Sequence, residues 1–255
     1  MSWKRVDCYD AVMPISSLHR TTTTSAWPFF IALLVVLVLC QSFAFAHGIH
    51  GKDAAFVAAS SDAQLIPFAY LGAKHMVTGY DHLLFLLGVI FFLFRLSQVA
   101  LYVTLFSIGH SITLLLGVLA NWHVDAHLVD AVIGLSVVYK AFDNLAGFKT
   151  LFGIQLNAKI AVFGFGLVHG LGLATKLQEL SLSKQGLLSN LLAFNGGVEL
   201  GQLLALTLMV LLINWWRRSA SFNKQAEFAN ALIMLAGFVL IEYQLLGYFV
   251  SGTAS

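Results

Sequence analysis

Several acidic and imidazole side chains interrupt long apolar stretches of this chain. His75-Met76-Val77-Thr78-Gly79-Tyr80-Asp81-His82 places two histidines and a carboxylate within eight residues. His110 lies in Phe106-Ser107-Ile108-Gly109-His110-Ser111, and His169 lies in a glycine-rich run from Gly164 to Gly172. Asn195, Glu199 and Gln202 stand at i, i+4 and i+7, on one face of a helix. An ionisable group at the centre of a bilayer costs about 2.5–3.5 kcal/mol on insertion scales, so each of these requires a reason. His, Asp and Glu without Cys make a nitrogen and oxygen donor set. It suits a divalent first-row ion such as nickel, cobalt, zinc or copper(II).

The spacing from His75 to His82 carries a geometric condition. In an unbroken helix the two would share a face but lie about 10.5 Å apart along the axis, too far for one ion to bridge. Gly79 offers a break, and unwound backbone at membrane depth is tolerated where it lines a cavity. The segment before Asp81 is therefore expected not to be a continuous helix. Each residue also has a plainer reading. Asp81 and His82 can be a structural pair, His110 and His169 can pack or bond between helices, and Glu199 can be a protonated carboxyl bonded across helices. Asp130, Lys140 and Asp143 read as structural, the last two as a pair three residues apart. Glu242 also reads as structural. His123 and His127 read as surface residues, or as a vestibule that collects metal.

The elements that must position these residues follow from composition. Of 255 residues 59% are hydrophobic and 10% are Asp, Glu, Lys or Arg, against about 25% charged in an average soluble domain. Mean hydropathy is +0.84. This excludes a soluble enzyme, a disordered chain and a disulfide scaffold, and a net charge of +2 gives no support for nucleic-acid binding. The expected fold is all-α and polytopic. Six spans are read at 76–94, 98–120, 127–147, 159–177, 189–214 and 226–250. Residues 1–46 read as a signal peptide, with Lys4, Arg5 and Arg20 before the apolar run Phe29 to Leu39 and a small-x-small site at Ala44-Phe45-Ala46. An uncleaved signal anchor is the competing reading. Both cysteines, Cys8 and Cys40, fall in this segment. Residues 47–64 form an exported polar tail, 65–250 the membrane domain and 251–255 a C-terminal tail. Cleavage would leave His47 as the first residue, with His50 three further on, a pair able to capture metal. Arg95, Lys149, Lys159, Arg217, Arg218 and Lys224 face the cytoplasm in this reading, against Lys52, Lys74, Lys176 and Lys184 outside. Both termini then lie outside.

The segment from His75 to His82 matches the H-x5-D-H signature of the HupE/UreJ family of hydrogenase and urease accessory proteins. It is also similar to the H-x4-D-H signature of nickel/cobalt permeases, with one residue more. The segments around His110, His169 and Glu199 (the last Phe194-Asn195-Gly196-Gly197-Val198-Glu199-Leu200-Gly201-Gln202) resemble the family's other motifs. The resemblance spans residues 65–250, and Tyr80 with the Leu/Phe-rich run after His82 looks closer to a second branch. It implies a multi-pass protein of a bacterial inner membrane, not an enzyme, that moves nickel or cobalt. His75, Asp81 and His82 would bind the ion, His110 and His169 would be intramembrane ligands or relays, and Glu199 would supply compensating negative charge or a proton exchanged for the ion. No permanently bound cofactor is implied; the ion is cargo, and metalloenzyme maturation proteins are the partners suggested. No nucleotide-binding G-x-x-x-x-G-K-[ST] occurs, which leaves the membrane potential as driving force. Two other readings remain: an accessory protein that hands over metal without transport, and an intramembrane metalloenzyme or haem protein with His110 and His169 as axial ligands.

Overall fold

The computed structural model describes residues 56–57, 62–178 and 185–252. The signal segment 1–46, His47, His50, most of the polar tail, Lys184 and the last three residues lie outside the described residues. The described chain is helical, with no strand: α1 (Leu65–Thr78), α2 (Tyr80–Ile90), α3 (Leu96–Leu119), α4 (Ala126–Asn144), α5 (Gly147–Phe152), α6 (Ala158–Gln178), α7 (Leu187–Trp216) and α8 (Phe222–Gly252). Four of these, α3, α6, α7 and α8, are long and apolar enough to cross a membrane. The first expected span, 76–94, is corrected. The apolar run starts at Leu65 and divides at Gly79 into two short helices. The fourth helix, α4, is 19 residues long and carries Asp130, Lys140 and Asp143. The short α5 has no counterpart among the six expected spans. It follows Ala146, whose left-handed backbone (φ 56°) turns the chain after α4.

The long helices pack as three pairs, α1 with α7, α3 with α6 and α4 with α8, and α2 sits among them touching α1, α3, α4, α7 and α8. Apolar helices in lipid gain little from hiding side chains, so close backbone approach between small residues has to hold them together. Each seam has glycines where a side chain would strike the facing helix. A Cβ on Gly197 would run into the Ala69 carbonyl, one on Gly170 into the His110 carbonyl, and one on Gly237 would come within 2.8–2.9 Å of Val138. Thr113 reinforces the α3–α6 seam by donating its hydroxyl to the Leu167 carbonyl at 2.6 Å. The outward faces stay apolar. Leu200, Leu203, Leu204, Leu208, Leu211 and Leu212 of α7 are each more than half exposed, the pattern of a lipid-facing surface.

The end of α2 is held by a single cation. Arg217, just past α7, donates to the carbonyls of Ile90 (3.0 Å), Phe91 (2.6 Å) and Leu93 (2.9 Å). These carbonyls lie at a helix C-terminus, where regular helical partners run out; that of Ile90 also accepts the Leu93 N–H at 3.0 Å. Its guanidinium lies 4.4 Å from the centre of the Phe94 ring. Burial pushes its pKa down to about 10, so it remains a cation at neutral pH. Trp216 donates to Gln225 at 2.8 Å and packs edge-on against Phe91 and Phe222, tying α7 and α8 to the same corner.

Two neighbouring glycines test the seam. A Cβ on Gly196 would have no atom within 4 Å, while one on Gly197 meets Ala69 backbone. Gly197→Ala is expected to destabilise the protein by about 1–3 kcal/mol through overpacking. Gly196→Ala should be neutral or stabilising by up to about 1 kcal/mol through helix propensity. Thermal unfolding of the two variants in detergent checks the contrast.

Candidate metal site

The site begins at the helix break. Gly79 ends α1 and starts α2 with ψ at 92°, its N–H bonded to the His75 carbonyl at 2.8 Å and its carbonyl accepting from Leu83 at 3.1 Å. One helix therefore closes and the next opens on the same residue. The result is a redirection of the chain. The His75 and His82 ring centres come to 5.3 Å, edge to face, about half the axial separation a continuous helix would impose. A Cβ on Gly79 would lie 3.1–3.2 Å from the His75 carbonyl oxygen, His82 Nδ1 and Asp81 Oδ1, so the polar groups crowd around a position with no side chain.

Two of the histidines are fixed through one ring nitrogen. His82 Nδ1 lies 2.8 Å from Asp81 Oδ1, which also accepts the His82 backbone N–H at 2.8 Å. A carboxylate only accepts, so Nδ1 carries the proton and the lone pair resides on Nε2. His169 Nε2 lies 3.1 Å from Ser136 Oγ, and that hydroxyl donates its own hydrogen to the Ile133 carbonyl at 2.6 Å. The serine oxygen is then the acceptor, Nε2 carries the proton, and Nδ1 of His169 holds the lone pair. These assignments follow from the hydrogen-bond network. His82 Nε2 and His169 Nδ1, the two lone-pair nitrogens, are buried and have no hydrogen-bond partner, as are His75 Nε2 and His110 Nε2. The rings gather around His82, with centres 4.7 Å away for His169 and 6.1 Å for His110.

His75, Asp81, His82 and His169 line a cavity of about 10 Å³, roughly the space of one water. Its walls also include Asp130 and Lys176. As the side chains stand, no three His, Cys, Asp or Glu groups among the described residues are arranged to hold an ion together. Metal–nitrogen bonds of about 2.0–2.1 Å would require the rings to turn from edge-to-face contact toward a common point. The arrangement supplies oriented donors close to one another, and ligation would draw them together.

The other expected residues divide into two groups. His110 joins the ring cluster but stacks on Phe106 and does not line the cavity. Glu199 lies apart, exposed on α7, with Asn195 Nδ2 at 3.4 Å. Asn195 and Gln202 are buried in a separate seam with α3. Asn195 exchanges hydrogen bonds with Ser111 (3.1 and 2.9 Å), and Ser107 donates to Gln202 at 3.0 Å. The shared face of α7 is real, but its polar partners are the serines on either side of His110 and not the imidazoles. Lys140 and Asp143 form the expected pair at 2.7 Å. His123 is exposed, bonded to the Asn121 carbonyl, while His127 is half-buried against Gln244 at 2.9 Å. Glu242 is exposed on α8.

Three contributors escape the sequence reading. Asp130 reads there as structural and Lys176 as an outer-loop cation, yet they form a buried ion pair at 2.7 Å in the cavity wall. Ser136 is not singled out by sequence at all. The available signal is the spacing of Asp130, Ile133 and Ser136 along one face of α4, at i, i+3 and i+6.

A family model described as HupE / UreJ protein matches residues 51–252. No curated protein and no solved structure matches the chain.

The partner on the far side of a ligating imidazole typically governs metal affinity by 10–100-fold. If the cavity takes a divalent metal ion, Asp81→Ala is expected to weaken its binding by about 10–100-fold, and Ser136→Ala to weaken it in the same direction. Calorimetric titration of the purified variants measures both; unchanged affinity in the two together would refute the role given to the fixed imidazoles.

Proposed function

The chain belongs to the HupE/UreJ family, and from that premise we propose that it is a membrane permease for a divalent transition-metal cation, nickel or cobalt. The family is consistent with a metal-related membrane accessory or transport role. The observation that carries the finer reading is the set of four buried imidazole nitrogens without partners, three of whose rings line one water-sized cavity beside a broken helix. A buried polar atom left unsatisfied costs about 1–3 kcal/mol, and a visiting cation is the guest that would satisfy several together. In this reading His75, Asp81 and His82 receive the ion, and His169 and His110 complete or relay it. The cation has help from the membrane potential, about 2.3 kcal/mol per charge per 100 mV.

Six crossings follow in this reading from the four long helices, the divided unit α1–α2, and α4. The charges that lower the hydropathy of α4 are internally neutralised, Asp130 by Lys176 and Lys140 by Asp143, so they are no bar to membrane depth. The reading also keeps a cleaved signal peptide, a bacterial cell membrane and both termini outside. A haem would need space now filled by Phe85 and Phe106, which pack at 5.3 and 5.1 Å against His169; this favours a bare ion over a macrocycle.

Proteoliposomes containing the purified protein and an internal metal indicator provide the test. Nickel or cobalt influx is expected, reduced at least about tenfold by His82→Ala and by Asp81→Ala, as for loss of an ion ligand or its holding group. Binding without influx would leave the non-transporting accessory role in its place. Full influx in both variants would reject the site.

A further inference from the structure

We propose that Lys176 is a tethered cation that guards the histidine cavity: it neutralises Asp130 while no ion is present and yields that carboxylate to an incoming divalent metal. The inference rests on the metal-permease reading and adds two residues to it.

The geometry has three parts. Lys176 Nζ donates to both carboxylate oxygens of Asp130, at 3.0 and 2.7 Å. Asp130 is further held by Gln244 Nε2 at 3.2 Å, so its carboxylate stays in place when the ammonium leaves. Both residues line the same cavity as His75, Asp81, His82 and His169. The side chains are nearly buried, at 15% and 6% exposure, so their charges are poorly screened and act strongly on anything in that cavity.

Charge decides the role. Asp81 and Asp130 bring two negative charges to the wall, and Lys176 cancels one of them. A divalent cation arriving with Lys176 in place meets a repelling ammonium; with Lys176 displaced it meets a wall that matches its charge. A pair serving only to join α4 to α6 has no need to stand in the wall of a metal cavity. Apolar residues of similar volume would join the helices as well, since buried ion pairs seldom add stability over them. Lysine also suits displacement. Its ammonium is a point charge on a flexible stem, whereas arginine would grip the carboxylate at two points. Lys176 lies in the last turn of α6.

Cobalt(II) binding to the purified full-length chain, followed by its visible absorption, tests this without depending on transport. Lys176→Gln retains a hydrogen-bond donor for Asp130 and removes the charge; its dissociation constant is expected to fall at least tenfold. Lys176→Arg should raise it at least fivefold, and Asp130→Asn at least tenfold. A merely structural pair predicts weaker or unchanged binding in every variant, so an unchanged or raised constant in Lys176→Gln overturns the proposal. If Lys176→Gln does not fold, Lys176→Met, which also removes the charge, decides: a constant lowered at least tenfold supports the proposal, and an unchanged or raised one overturns it. Wild-type protein that binds no cobalt or nickel would bring down the permease reading and this proposal together. Wild-type binding with no tightening in Lys176→Gln would bring down this proposal alone.

Discussion

A continuous helix from Leu65 to Ile90 would be the most economical way to span this part of the bundle, and it would separate His75 from His82 by about 10.5 Å along its axis. The interruption at Gly79 gives up that regularity and brings the rings to 5.3 Å. The backbone loses little by it, because the Gly79 N–H and carbonyl are both bonded, one backward to His75 and one forward to Leu83. Irregular backbone survives at membrane depth on those terms. The crowding of His75, Asp81 and His82 around the missing side chain then fixes where the polar groups can be. Helix α2 carries Asp81 and His82 into the centre of the three helix pairs, and Arg217 secures its far end.

Helix pairing and site chemistry are coupled through the same residues. Gly170, next to His169, makes the close approach to the His110 carbonyl, so the contact that joins α3 to α6 also sets two imidazoles at neighbouring heights. Ser136 fixes His169 from α4, and Asp81 fixes His82 from its own helix. Each imidazole that is anchored on one nitrogen has its lone pair committed to the other. In a medium of low polarity, an anchored but unfulfilled network is costly. Four unpartnered imidazole nitrogens gather at the rings around His82, while several buried polar groups nearby are paired: Lys140 with Asp143, Asn144 with Asn230 and the Gly88 carbonyl, and Asn195 with Ser111.

Much of this is legible in the sequence, and the reasons for the exceptions are physical. Helix positions after the first follow the apolar runs within a few residues, because hydrophobic length is a local property. The break before Asp81 is legible because two donors seven residues apart cannot serve one ion on a straight helix. The sequence places Asp81, His82, His110, His169 and Glu199 at similar depths on separate spans, so that they could converge on one cavity, and the break at Gly79 adds His75. Depth does not fix rotation about the helix axis, and that is why Glu199, expected in the same cavity, stands exposed on α7. Nor does it pair helices, since one apolar surface resembles another and the specific seams are set by which glycines face which carbonyls. Lys176 and Asp130 are 46 residues apart, and each near the end of its helix reads as an ordinary interface charge until the fold brings them together.

The cavity also constrains how an ion could pass. Below the imidazoles lies an aromatic floor: Phe85 and Phe106 are fully buried, 5.3 Å apart, and both pack on His169. Phe165 closes the far side of Phe85 at 5.7 Å. These rings fill the space on that side of His169. Phe85 is on α2, one turn beyond Asp81 and His82. A shift of α2 against the three pairs would therefore move Phe85 together with Asp81 and His82, and leave Phe106, His75 and His169 in place. In transporters, discontinuous helices commonly form the ion site, and alternating access comes from rocking of helix bundles about it. The break that brings His75 to His82 thus leaves Asp81 and His82 on an 11-residue helix that is discontinuous with the one before it.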